Sequence, residues 1–131
     1  MFARTKLVAA LGAVALGILM GASTHANSDA SKTTFLTFNR PVALPGVALG
    51  SGTYIFEVPD PTNAWDVVRV LSRDRKIVYY AGFTRRINRP AGMNHDQLIL
   101  FAEAQPDVPT PIAAWWPNGE STGREFIYDK H

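Results

Sequence analysis

Between Thr33 and Asp129 the chain alternates short β-branched and aromatic runs with Pro, Gly, Asn and Asp, and in several runs every second residue is apolar. That is the period of a pleated strand with one face buried. The pattern predicts strands at Thr33–Asn39, Val42–Leu44, Gly52–Val58, Trp65–Leu71, Lys76–Thr84, Gln97–Ala102, Ile112–Trp116 and Arg124–Asp129. Past residue 26 no stretch keeps apolar residues at helical spacing for the roughly ten positions a helix needs. All 9 prolines lie within Pro41–Pro117, which restricts what lies between strands to turns and edges. The expected fold is all-β: a single antiparallel β-sandwich or small barrel of seven to eight strands.

One hairpin can be set in register from the pattern. Ser72-Arg73-Asp74-Arg75 is polar and separates two strand-like runs. A turn centred there pairs Leu71 with Lys76 and Arg69 with Val78, placing Val68, Val70, Ile77 and Tyr79 on one face and Arg69 and Lys76 on the other. Gln97–Ala102 is apolar at both parities, which predicts a central strand or one beneath a covering loop. Tyr79 and Leu100 are the expected core residues of these segments. Arg85–Asp96 and Glu103–Pro111 are longer connections, where a site would sit if they are more than surface loop.

The first 26 residues follow a different rule. Arg4 and Lys6 precede an apolar and glycine run, Leu7–Ala22, and the small residues Ser23, Thr24 and Ala26 follow before the polar stretch from Asn27. Charged start, apolar middle and small-residue exit are the marks of a secretory signal peptide cleaved after Ala26. The apolar run is shorter than the roughly 20 residues a spanning helix needs, so no membrane span is expected after cleavage. The expected organisation is a signal peptide over 1–26, a disordered leader over 27–32 and one β domain over 33–131, exported to the periplasm or beyond.

Removing the signal peptide changes the charge. Arg4 and Lys6 account for the whole formal net charge of +2, leaving 11 basic against 11 acidic residues. The basic character therefore gives no reason to expect nucleic acid. With no cysteine anywhere, disulfides, thiolate zinc sites and thiol nucleophiles are excluded.

Few constellations carry chemistry. His95 stands beside Asp96, but no metal-ligand spacing surrounds it. Ser31, Ser51, Ser72 and Ser121 lack a nucleophile-elbow context, and no pair of acids is brought together as glycoside cleavage requires. No catalytic residue, metal or cofactor is expected. Trp115-Trp116 would face opposite ways on a strand, so one indole either forms an outward platform or is covered by a loop. Between residues 69 and 89, Arg69, Arg73, Arg75, Lys76, Arg85, Arg86 and Arg89 oppose the single Asp74. About nine residues of strand, at ~3.3 Å each, separate the two ends of that cluster, which predicts two small basic groups and not one polyanion patch. The weak ligand-binding candidates are Trp115, Trp116, His95, Arg85, Arg86 and Arg89.

Leu49-Gly50-Ser51-Gly52-Thr53-Tyr54 and Gly123-Arg124-Glu125-Phe126-Ile127-Tyr128 resemble the L-P-A-G-T-Y turn and closing G-x-E-F-x-Y segment of small exported bacterial all-β proteins of unknown function. Gly50-Ser51 stands where that group tends to have Pro-Ala. The resemblance implies a fold and no activity. Gly52 is expected at positive φ in the turn. The functional expectation is an exported, non-enzymatic binding or accessory module of the cell envelope, its partner an envelope protein or glycan. The alternative is a carbohydrate-binding or carbohydrate-processing domain using an exposed Trp.

Overall fold

The computed structural model describes residues 32–117 and 120–129; the expected signal peptide and most of the leader lie outside them. The described residues form nine strands and no helix. These are β1 (Lys32–Phe38), β2 (Val42–Leu44), β3 (Val47–Leu49), β4 (Gly52–Val58), β5 (Val67–Ser72), β6 (Val78–Asn88), β7 (Ile99–Phe101), β8 (Thr110–Trp115) and β9 (Thr122–Phe126). Lys32, assigned to the leader from sequence, opens β1 and pairs with Val58. The added strand is β3. Pro45 and Gly46, the latter at φ 78°, turn the chain so that Leu44 pairs with Val47.

All nine strands join one hydrogen-bonded sheet in the order β1-β4-β5-β6-β9-β8-β2-β3, with β7 also on β8. The sheet is mixed and not wholly antiparallel, because β2 runs parallel to β8 with Val42 opposite Thr110. Strands distant in that order meet through their side chains. Phe56 of β4 lies 5.8 Å from Trp115 of β8 and 6.4 Å from Phe126 of β9, and Phe38 of β1 lies 6.3 Å from Phe101 of β7. The sheet therefore folds so that its halves share one core.

The β5–β6 hairpin departs from the expected register. Leu71 pairs with Val78, Val70 with Tyr80 and Arg69 with Ala81, and a bulge between Val70 and Leu71 leaves Tyr79 as the extra residue. The turn is longer than the charge pattern suggested because Ser72 closes it: its N–H donates to the Ile77 carbonyl (2.8 Å) and its hydroxyl accepts from the Ile77 N–H (3.0 Å). The bulge sends Tyr79 and Tyr80 both against the core, while Ile77, expected inside, is exposed. Gln97–Ala102 is likewise not a central strand. Only Ile99–Phe101 is strand, half-buried and paired with β8 alone, and Leu100 is not a core residue.

Gly52 has φ 147°, as the turn motif requires. The closing segment also acts through packing. Phe126 is core, and the Tyr128 hydroxyl donates to the carbonyls of Ala43 (3.0 Å) and Ile112 (2.7 Å), tying β2 to β8. Burial pushes that phenol up to about 12.

Candidate functional site

The residues singled out from sequence do not converge. Trp115 and Trp116 are both fully buried, so neither presents the ring face that sugar stacking needs. Trp115 belongs to the core. Trp116, just past β8, lies where a Cβ on Gly123 would come within 2.5 Å of its ring, and the Arg89 guanidinium sits 5.2 Å above it. Arg89 organises the connection after β6. It donates to the carbonyls of Asn94 (2.5 Å), Gln97 (2.6 Å) and Glu120 (3.0 Å), and burial lowers its pKa. The Trp116 backbone N–H donates to the Leu98 carbonyl at 2.8 Å, so the second indole is covered by a loop that an arginine holds down.

Arg85 and Arg86 fall within β6, not in a loop. Arg85 pairs across the ladder with Glu125, an opposite-charge pair of the kind that supports a sheet. Arg86 lies opposite Arg124, and Trp65 offsets their repulsion by receiving both guanidinium groups, at 4.2 and 5.2 Å. Arg124 is buried, with Glu120 at 3.1 Å, and Glu120 also pairs with Lys32. His95 is exposed, and among the described residues no three His, Asp or Glu side chains gather as a metal site.

A different surface has the composition of a site. On the face of β1-β4-β5-β6 turned away from the core, Phe35, Ile55, Leu71 and Val78 stand opposite one another and form an apolar row across four strands. Its inner members Ile55 and Leu71 are buried, whereas Phe35 and Val78 are 52% and 53% exposed at its ends. The next row is Thr33, Glu57, Arg69 and Ala81, and beyond it Phe83, 68% exposed, pairs with Val67.

Glu57 is buried on this outer face and clamped by two arginines. Arg69 Nε donates to Oε2 at 2.7 Å, with Arg69 Nη2 on the same oxygen, and Arg75 Nη2 donates to Oε1 at 2.8 Å. Arg75 is the one non-glycine residue at positive φ (66°) among the described residues. The turn lies on one side of the Ile55–Leu71 row and Glu57 on the other, so the Arg75 side chain reaches its partner across that row. This accounts for the burial of two apolar residues on an outward face. At the tip a shallow hollow is lined by Ser72, Arg73, Asp74, Ile77 and Tyr79. The Ser72 hydroxyl (2.7 Å) and Lys76 N–H (3.0 Å) donate to Asp74 Oδ1 and lower its pKa.

Sequence reasoning missed this face because it gave the β5–β6 hairpin a single apolar side. The signal was present in the consecutive apolar residues Phe35-Leu36, Tyr54-Ile55-Phe56, Val70-Leu71 and Ile77-Val78, which require apolar side chains at both parities. Comparison with protein-family models, with curated proteins and with solved structures finds no match.

Proposed function

We propose that the chain is an exported, non-catalytic binding or accessory module of the cell envelope, an open sandwich-like β fold that engages its partner with the outer face of β1-β4-β5-β6. The apolar row with exposed Phe35 and Val78 at its ends, together with exposed Phe83 beyond the Glu57–Arg69 row, carries this reading. Large apolar side chains gathered on one face of an exported domain mark a contact surface. The targeting pattern of residues 1–26 supports export. Buried Trp115 and Trp116 leave the carbohydrate reading without its platform.

Three measurements test the parts separately. Export predicts that fractionation recovers the protein outside the cytosol with Asn27 as its amino terminus; an intact leader on cytosolic protein refutes it. Contact through the outer face predicts that a photo-crosslinking residue at position 83 captures one discrete species in cells, while the same residue at Asp107, an exposed loop position, does not. A hydrolase activity abolished by changing one acid or His95 overturns the non-catalytic reading.

A further inference from the structure

The β5–β6 turn resting on this proposed face has its own chemistry. Its polar groups are largely used internally: the Arg75 N–H donates to the Ser72 carbonyl at 2.9 Å, and Asp74 is held by Ser72 and Lys76. Glu57 is shared by Arg69 and Arg75. Both acids near the turn are therefore engaged, while among the described residues Arg73 and Lys76 form no ion pair, and four cations face two carboxylates. Beside the two uncommitted cations stand Ile77 and Val78, 52% and 53% exposed. The turn thus carries one exposed aliphatic side chain on each face of the hairpin end, Ile77 beside Ser72 and Tyr79 and Val78 beside Leu71, with an excess of positive charge at its tip.

We infer that the Ser72–Val78 hairpin tip docks on an anionic lipid surface, with Arg73 and Lys76 at headgroup phosphates and Ile77 and Val78 immersed in the interfacial layer. This rests on the binding-module reading and names the partner of one part of its face. Cations plus exposed aliphatic residues are the pairing that peripheral membrane attachment requires, since neither alone holds a protein at an interface. The shape favours lipid over an acidic peptide. The tip is the projecting end of a hairpin with only a shallow hollow beside it, whereas a peptide needs a groove or an unpaired strand edge. A fluid interface accommodates a protruding tip without either.

The test is co-sedimentation of the chain from Asn27, which keeps every core residue, with vesicles of phosphatidylcholine alone or carrying a quarter phosphatidylglycerol. Binding is expected only to the anionic vesicles, weakening as salt rises from about 0.1 M and the Debye length shrinks below ~10 Å. Arg73→Gln and Lys76→Gln should each weaken it about fivefold, the factor for one cation at an anionic surface. Ile77→Ser should weaken it about tenfold or more, the lower end for withdrawing a large aliphatic side chain. All three side chains are exposed, so the melting temperature should stay unchanged, and Arg85→Gln, at the far end of β6, should bind like the parent. Equal binding to both vesicle types, no binding to either, or variants indistinguishable from the parent overturns the proposal. A discrete crosslinked protein from position 83 without vesicle binding would leave the binding module standing and remove the lipid.

Discussion

Arg75 holds a left-handed backbone that side-chain-bearing residues adopt at a cost of about 1–2 kcal/mol, and its guanidinium shares a buried carboxylate with Arg69. Comparing Arg75→Gly with Arg75→Ala separates these effects, because both lose the guanidinium and only Gly relieves the backbone. The Gly variant should be the more stable by about 1 kcal/mol in urea unfolding, and equal stability would show that the turn carries no strain. Gly123 is needed for a different reason. A methyl group there would stand 2.5 Å from the fully buried Trp116 ring, which has nowhere to retreat, so Gly123→Ala should cost about 2–3 kcal/mol. At this scale the sequence was legible where one residue type answers one geometric need, as at Gly52. It was not legible for Glu57, whose partner Arg75 reaches it only through a positive φ that nothing in the residue string announces.

Among the elements, the strands could be located because alternation is a local property, whereas their neighbours depended on details the alternation does not carry. The β5–β6 hairpin was found, yet its register moved once Ser72 and Asp74 closed a longer turn and Tyr79 bulged. β7 shows the same limit. Apolar residues at both parities describe a strand buried on both faces, but they also describe a short half-buried strand with a single neighbour. Leu100→Ala should accordingly cost about 1–2 kcal/mol, below the ~2–5 kcal/mol of a fully buried leucine, while Phe56→Ala should cost about 3–5 kcal/mol. Chemical denaturation of both variants checks this, and equal losses would place Leu100 in the core. The candidate face escaped for a related reason, since Phe35, Val78 and Phe83 come from β1 and β6, which are not neighbours in the sheet.

Across the whole molecule, cohesion without disulfides rests on the shared core and on polar ties between its strands. Tyr128 is the tie whose strength varies with pH. Its hydroxyl links β2 to β8, and burial raises its pKa to about 12, against ~10 for a tyrosine in an unfolded chain. A group whose folded pKa lies above its unfolded pKa contributes stability that is complete below the unfolded value and is lost as pH rises through the folded one. From about pH 10 the unfolded chain begins to release this proton while the folded protein keeps it, so each further step in pH favours unfolding until the native phenol also ionises near 12. Tyr54 and Tyr80, both raised chiefly by burial, act in the same direction. Urea midpoints should therefore fall steeply between about pH 10 and 12. Tyr128→Phe should be less stable at neutral pH, where it lacks the two carbonyl contacts, yet lose less stability across the alkaline range. Parallel falls in variant and parent would show that this phenol does not set the alkaline limit.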